Sequence, residues 1–284
     1  KIGLQLPEIL LPAGQVDIHK WPVVACDQFT SKKDYWEDVD RAVGGTPSTR
    51  HLIYPECYLA ADDSEERIIR IHAAMNKYLA SDVFQIHSPG LHLVVRDLPG
   101  KPSRTGLMIA VDLEKYDFSH DSVSPIRPTE GTIVDRIPAR KAIRAEASLE
   151  LPHVMVLVDD PDRSIVEPIA EALRDGPPVY STPLMKGGGS VAAYRSDAPE
   201  LLEHFVGAFE RIADPTAFKE RYGSSHPFFV AVGDGNHSLA AAKSMWEDIK
   251  PTISTQSRSS HPARFAMVEA INLYDDGINF EPIH

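Results

Sequence analysis

Residues 228–238 read FFVAVGDGNHS, an apolar strand that runs into a tight polar loop and then into a helix. Residues 230–232 give the signal of a buried strand, and Gly233 and Gly235 permit the positive φ angles that a tight loop needs. Ser238 opens a run of good helix formers. The loop amides and the helix N-terminus should therefore point at one spot of partial positive charge, where an anion would bind.

The same loop carries three polar side chains whose chemistry suits an active site. Asp234, Asn236 and His237 can hold a metal ion, donate to a phosphate or move a proton. A structural interpretation stays open beside this one, because Asp-Gly-Asn is also ordinary turn chemistry. We take His237 and Asp234 as candidate catalytic residues and Asp234 also as a metal ligand. The candidate ligand-binding residues of the loop are Gly233, Gly235, Asn236 and Ser238.

Composition limits the classes of protein to consider. A chain of 284 residues that is 43% hydrophobic can bury a large core. A formal net charge of −12 argues against a surface for duplex nucleic acid, while a small anionic ligand is compatible with local basic clusters. No apolar run approaches the roughly 18 residues of a membrane helix, and the start shows no signal peptide. We therefore expect a cytoplasmic protein of bacterial type.

The cysteines and the chain ends give two further expectations. Cys26 and Cys57 are too few for a disulfide framework, and we interpret both as core thiols in a reducing compartment. The chain begins at Lys1 without Met and stops at His284. We expect one or both natural ends to be missing, the C-terminal end in particular.

Strand and helix signals alternate along the chain, with Pro and Gly between them. Residues 91–96 and 105–111 predict two strands joined by a hairpin through residues 99–102, so antiparallel pairing is expected. We find no convincing linker and predict one integrated α+β module over residues 1–284, with a mixed sheet and flanking helices. The remaining predicted strands are 21–26, 154–158, 230–232 and 263–273, and the predicted helices are 33–43, 64–79, 161–173 and 201–212.

Three arginines follow one another at four-residue spacing, Arg136, Arg140 and Arg144, which a helix would place on one face. Unpaired guanidinium groups on such a stripe would make a phosphate or carboxylate clamp. The alternative is a solvated helix face paired with Asp135 and Glu146. The first interpretation adds the three arginines to the ligand-binding candidates.

Glu130 lies between Thr129 and Thr132, just before the arginine stripe. Its carboxylate is a candidate general base or metal ligand. Thr and Glu close to a helix start are equally typical of capping. We carry Glu130 forward as a candidate catalytic residue.

Two further segments could carry chemistry. Lys186, Gly187 and Gly188 expose backbone amides beside a cation and could bind a phosphate, although the order of residues differs from a Walker loop and also suits a flexible lid or a plain turn. Asp160 lies between a predicted strand and a predicted helix, where a carboxylate could hold Mg²⁺ or cap the helix. The chain contains no Gly-x-Ser-x-Gly elbow, His-Glu-x-x-His helix or dinucleotide fingerprint, which removes several enzyme classes.

Several motifs follow one another along the chain, from Trp21-Pro22-Val23-Val24-Ala25-Cys26-Asp27-Gln28-Phe29-Thr30, Pro47-Ser48-Thr49, Thr129-Glu130-Gly131-Thr132-Ile133-Val134-Asp135-Arg136 and Leu151-Pro152-His153 to Gly233-Asp234-Gly235-Asn236-His237-Ser238, His261-Pro262-Ala263-Arg264 and Phe280-Glu281-Pro282-Ile283-His284. In this combination they resemble domain-of-unknown-function family 1015 over essentially the whole chain. Members of that family are often called ParB-like.

The resemblance implies a phosphate-binding loop, because the Asp-Gly-x-His motif is similar to the loop of the ParB, sulfiredoxin and free-serine-kinase group. In that group the motif usually continues with Arg, whereas this chain has Ser238. Arg140 or Arg144 would have to supply the phosphate contact instead. A single site also requires the arginine stripe and the loop to lie within about 12 Å, because charge-assisted bonds need direct contact.

Two classes of function fit these features. The first is a nucleotide-dependent phosphotransferase acting on a small hydroxylated metabolite, in which the loop holds phosphates and the arginines neutralise charge. Asp234 or Asp160 would then hold Mg²⁺, and Glu130 would position or deprotonate the acceptor hydroxyl. The second is a ParB-like regulatory protein that binds a nucleotide without catalysis.

A metal-dependent hydrolase is a third hypothesis. It would require His237 and Asp234 to meet further ligands from His153 or Asp27.

Overall fold

The computed structural model describes residues 2–25, 29–59 and 61–278. Its strands are β1 (Leu4–Gln5), β2 (Ile9–Pro12), β3 (Phe84–His87), β4 (Leu91–Asp97), β5 (Arg104–Asp112), β6 (Ile126–Pro128), β7 (Met155–Val158), β8 (Tyr180–Pro183), β9 (Ser190–Ser196), β10 (Val230–Asp234) and β11 (Phe265–Asn272). Its helices are α1 (Lys33–Val43), α2 (Ser64–Leu79), α3 (Ile137–Arg144), α4 (Val166–Arg174), α5 (Pro199–Ile212), α6 (Pro215–Tyr222), α7 (Asn236–Ile249) and α8 (Thr255–Arg258).

The main sheet is mixed, which confirms the predicted α+β class. Its order is β6-β10-β7-β11-β5-β4-β9-β8, with β1 paired to β5, and β2 and β3 form a separate ribbon. Strand β10 runs parallel to β6, and β11 runs parallel to β7. The other pairs of the main sheet are antiparallel, including the predicted β4–β5 hairpin. The parallel pair β6 and β10 matters for the site, because both strands end at the same edge.

One hydrophobic cluster joins a face of this sheet to three helices. Val230 and Val232 of β10 are fully buried and belong to the same cluster as Ile169 of α4, Phe209 of α5 and Trp246 of α7. Full burial of such a side chain contributes about 1.5–3 kcal/mol. Because strand side chains alternate between faces, the residue between the two valines lies on the opposite face. The strand is thereby fixed in register, and its end is carried to the sheet edge.

Helices α3 and α7 pack side by side and run in the same direction. Ile137 at the start of α3 packs against Ala240 and Ala241 of α7. One turn further along, the Lys141 ammonium donates to the Ser244 hydroxyl at 3.2 Å. Since residue numbers rise together along both helices, the two N-termini lie at the same end of the pair.

The helices predicted at 33–43 and 64–79 are confirmed. The strand predicted at 21–26 is wrong for its described residues, 21–25. The backbone carbonyl of Trp21 accepts bonds from the Ser48 hydroxyl at 3.1 Å and the Thr49 amide at 2.9 Å, so a neighbouring turn replaces a strand partner. The helix predicted at 161–173 begins only at Val166, because Asp160 caps a preceding turn.

The expectations about the cysteines, the chain end and membrane helices have separate outcomes. Cys26, Asp27 and the segment 280–283 lie outside the described residues. Cys57 is a free, half-buried thiol that packs against a hydrophobic cluster that includes Trp36 and Val39 of α1. Burial raises the pKa of this thiol. In the described ranges, no helix has both the length and the apolar character that a bilayer crossing requires.

Candidate functional site

The turn from β10 into α7 is built on Gly235, whereas Gly233 lies within β10, so the positive φ predicted at Gly233 is wrong. Gly235 has φ 78°, and a Cβ there would lie 3.0 Å from the Cα and the Cγ2 of Val154. A Cβ on Gly233 would lie 3.0 Å from two side-chain carbons of Leu157. The positive φ and the close approach to β7 explain why glycine stands at position 235. The predicted loop therefore turns sharply against the neighbouring strand.

The segment that follows β6 crosses this loop. Thr129 donates to the carbonyl of Val232 twice, from its hydroxyl at 2.8 Å and from its amide at 3.2 Å. Four residues on, the amide of Ile133 donates to Nε2 of His237 at 3.1 Å. Segments that are about 100 residues apart in the sequence are thereby joined at one edge of the sheet.

The side chain of Asn236 holds the segment that follows β6, residues 129–133, against the loop. Its side chain is 5% exposed, and its Oδ1 accepts from the Thr132 hydroxyl at 3.2 Å and the Tyr116 hydroxyl at 3.4 Å. Its Nδ2 donates to the carbonyl of Glu130 at 3.4 Å. The side chain of Asn236 is thus engaged inside the protein, and its ligand-binding role is limited to its backbone amide.

The hydrogen bond from Ile133 determines the tautomer of His237. An acceptor Nε2 carries no proton, so the neutral ring carries its proton on Nδ1. In this arrangement the ring can donate from Nδ1, while the lone pair of Nε2 is already used. Of the roles considered for His237, this arrangement favours donation of a hydrogen bond to a phosphate.

Four charged residues act on the pKa of His237. Burial lowers the pKa of His237, and the positive charges of Arg140 and Arg136 lower it further, while Glu130 and Glu56 act in the opposite direction. The predicted stripe and the predicted base therefore both act electrostatically on the loop histidine. The backbone agrees, since the Arg136 amide donates at 3.0 Å to the carbonyl of the residue that binds His237.

The arginine stripe only partly reaches the loop. Arg136 precedes α3, is exposed, and has no side-chain partner among the described residues. Arg140 pairs with Glu56 at 2.6 Å, and Arg144 pairs with Glu150 at 2.6 Å. Arg144 lies two turns beyond Arg136, or about 12 Å along the helix axis, and points to the far end of the α3–α7 pair. The phosphate contact expected from Arg144 is therefore corrected in favour of Arg136 and Arg140.

Asp160 lies at the opposite end of β10 from Asp234. Val230 pairs with Val158, whereas Asp234 pairs with Met155, so the two carboxylates are separated by about 13 Å of strand or more. Asp160 is 3% exposed, and its Oδ2 accepts from the amides of residues 164 and 165 at 2.6 and 2.8 Å. Asp160 thus stabilises the turn that precedes α4 and does not share a site with the loop.

Lys186, Gly187 and Gly188 form the turn between β8 and β9, five strand spacings or about 24 Å from β10. Lys186 pairs with Asp38 at 3.0 Å. These three candidates therefore do not join the loop site either.

Asp234 remains at the loop and is exposed. Its Oδ1 accepts from the amide of Gly235 at 2.7 Å. Among residues 2–25, 29–59 and 61–278, no three His, Cys, Asp or Glu side chains come together as a metal site. A single carboxylate can still hold Mg²⁺ when phosphate oxygens and water supply the other ligands.

The sequence alone did not reveal Glu56, Tyr116 or the amide of Ile133 as parts of the site. Glu56 comes from a short 3₁₀ turn, and Tyr116 follows the end of β5. Neither lies in a motif or a periodic pattern, and each reaches the loop only through the fold.

No curated protein and no solved structure matches this chain. A family model described as "Protein of unknown function (DUF1015)" matches residues 10–284. The chain therefore belongs to this family.

Proposed function

We propose that the chain is a phosphotransferase that binds the phosphates of a nucleotide at the β10–α7 loop and transfers one to a small hydroxylated metabolite. The observation that carries the proposal is the parallel packing of α3 and α7. It brings two helix N-termini, two arginines, a neutral histidine and a carboxylate to one edge of the sheet.

The electropositive side of this site suits phosphate. At the start of α7 the amides of Asn236 and His237 precede the first intrahelical bond, which Ser238 donates to Gly235, and the helix dipole favours an anion there. At the start of α3 the amides of Arg136 and Ile137 already donate to the carbonyls of residues 133 and 134, so α3 contributes its dipole and Arg136. Arg136 is exposed and without a side-chain partner in the described ranges, so its guanidinium can pair with phosphate oxygens. The Nδ1–H of His237 adds a neutral donor. Asp234 would hold Mg²⁺ together with phosphate oxygens, and this ion would neutralise charge on the phosphates.

Glu130 supplies the complementary group. Its carbonyl accepts a hydrogen bond from Asn236, and its charge raises the pKa of His237, and both observations support a role for its carboxylate beside the loop. In the reaction, the acceptor oxygen forms a bond to the terminal phosphorus while the bond to the bridging oxygen of the nucleotide breaks. Glu130 takes the hydroxyl proton, and the bond electrons leave with the nucleoside diphosphate or monophosphate.

The test is a transfer assay with a defined donor and a panel of acceptors. The protein is incubated with Mg²⁺, one of ATP, ADP or CTP, and a mixture of hydroxy amino acids, polyols and sugars. Mass spectrometry then detects any phosphorylated acceptor. We expect one acceptor to gain a phosphate in proportion to the nucleotide consumed.

Glu130→Gln is the informative variant, and Glu146→Gln is its matched control, because Glu146 is an exposed glutamate beyond the end of α3. The proposal predicts that Glu130→Gln keeps nucleotide binding and loses transfer by at least about 100-fold. Unchanged transfer in Glu130→Gln removes this residue from the mechanism. Nucleotide binding without transfer to any acceptor supports a regulatory protein, and absence of binding contradicts the proposal.

A further inference from the structure

A cavity of about 520 Å³ opens on the face of the sheet that α4, α5 and α7 leave uncovered. Its floor is formed by Ala231 and Leu157, which are register partners on β10 and β7. Its volume lies within the range of about 300–1,000 Å³ that is typical of small-molecule sites. The cavity is distinct from the loop but shares β10 with it.

Aromatic rings form much of the cavity wall. Phe218 and Tyr222 of α6 lie with ring centroids 4.8 Å apart. The hydroxyls of Tyr222 and Tyr274 both donate to the carboxylate of Asp159, the second at 3.1 Å. Burial and this carboxylate raise the pKa of Tyr222 to about 12, so its hydroxyl remains a donor at neutral pH. One partly buried acceptor thereby holds two rings in place before any ligand arrives.

The opposite side of the cavity carries a stacked cation. The guanidinium of Arg127 lies 4.1 Å from the ring centroid of Phe228, and its Nη1 donates to the carbonyl of Ser122 at 2.8 Å. Its Nε is buried and has no hydrogen-bond partner among the described residues. A planar cation beside aromatic walls favours a flat heteroaromatic ring that carries acceptor atoms.

The cavity adjoins the phosphate loop. Thr129 lines the cavity and also donates to the carbonyl of Val232 in β10, two residues before the strand ends at the loop. Gly233 follows Ala231 by two residues, and a Cβ on Gly233 would lie 3.0 Å from the floor residue Leu157. Asp234, at the end of β10, lies three residues or about 10 Å of strand beyond Ala231, a distance that a ribose and its first phosphates can span.

We propose that this aromatic cavity binds the base of the nucleotide whose phosphates the β10–α7 loop holds. The inference rests on the proposed function for the position of the phosphates, whereas the cavity has its own chemistry. Binding of the base in this cavity would let the protein select a nucleotide over free pyrophosphate, which phosphate recognition alone does not do.

The test compares ligands that occupy one half of the site or both. Isothermal titration gives the Kd for pyrophosphate, for ATP, GTP and CTP, and for the corresponding nucleosides, with the intact chain. We expect at least one nucleotide to bind tenfold or more tightly than pyrophosphate. If no nucleotide binds more tightly than pyrophosphate, the inference is wrong.

Ala231→Leu fills the cavity from its floor without touching the loop. We expect this variant to bind the preferred nucleotide as weakly as pyrophosphate, with the Kd for pyrophosphate unchanged within twofold. Arg127→Gln, which removes the stacked cation and keeps the cavity open, should also weaken the nucleotide and spare pyrophosphate. Unchanged nucleotide affinity in both variants overturns the inference, and a circular dichroism melt confirms that each variant is folded.

The two proposals fail in different ways. If pyrophosphate does not bind but a nucleoside binds and Ala231→Leu abolishes its binding, the cavity stands and the phosphate site falls. If pyrophosphate binds and no base adds affinity, the phosphate site stands and the cavity inference falls. If neither pyrophosphate nor any nucleotide or nucleoside binds, both are refuted.

Discussion

Replacing Gly235 by Ala tests the loop geometry on which the site depends. A left-handed backbone costs a residue with a Cβ about 1–2 kcal/mol, and φ is 78° here. The new Cβ would also lie 3.0 Å from two atoms of Val154 and 3.2 Å from the carbonyl of His153, which adds roughly 1–3 kcal/mol of overpacking. The lower entropy of the unfolded variant offsets about 0.4–1 kcal/mol. We expect the free energy of unfolding to fall by about 1–4.5 kcal/mol.

The measurement is urea unfolding followed by tryptophan fluorescence, with Gly131→Ala as the matched control. Gly131 lies in the crossing segment, its φ is not positive, and a Cβ there would meet nothing within 4 Å. The control should therefore change stability by less than about 1 kcal/mol. Equal stability of the two variants would refute the geometry described for the loop.

Three further predictions concern His237, the Arg264–Asp112 pair and Trp246. Folding lowers the pKa of His237 and so favours its neutral form. The stabilisation that the neutral ring provides is complete above the unfolded pKa of about 6.5. It is lost as the pH falls from there through the lower pKa of the folded state. The wild type should thus lose more stability between pH 7.5 and 5 than His237→Gln, whose amide oxygen can accept the same bond; parallel urea midpoints would contradict this. Arg264 donates to both oxygens of Asp112, at 2.8 and 2.6 Å. Arg264→Gln should therefore lower the free energy of unfolding, measured in urea, by about 2 kcal/mol, and an unchanged value would show that the pair does not stabilise the fold. Trp246 is fully buried and donates to Glu114 at 2.6 Å, so Trp246→Phe should cost about 1–3 kcal/mol by thermal unfolding, and a neutral result would argue against this packing.

The local sequence predicts an element correctly when the residues of that element alone determine its structure. Helix α2 and the β4–β5 hairpin follow from periodicity and turn residues, and both are present. The strand expected at residues 21–26 fails because the carbonyl of Trp21 bonds to Ser48 and Thr49, a long-range contact that no local pattern contains. Apolar runs of this length do not by themselves separate a strand from a buried loop.

The site shows the same division. Gly233 lies in β10 without the predicted positive φ. The positive φ of Gly235 and the hydrogen bond that joins the backbone of Glu130 to Asn236 agree with the motifs that suggested them. The partners of the arginine stripe do not, because Glu56 and Glu150 replace the predicted Asp135 and Glu146. Helix periodicity gives the face on which a charge lies, whereas its partner comes from whichever segment the fold brings there.

The central claim is that phosphate binds at the shared N-terminal end of α3 and α7. The most direct measurement is thermal unfolding with pyrophosphate, with and without Mg²⁺, for the wild type, Arg136→Gln and the matched Arg144→Gln. A ligand at about 100 times its Kd adds roughly 2.7 kcal/mol, or roughly 5–10 °C in Tm. We predict this shift in the wild type and in Arg144→Gln and its loss in Arg136→Gln. No shift in the wild type, or equal loss in both variants, would contradict the account.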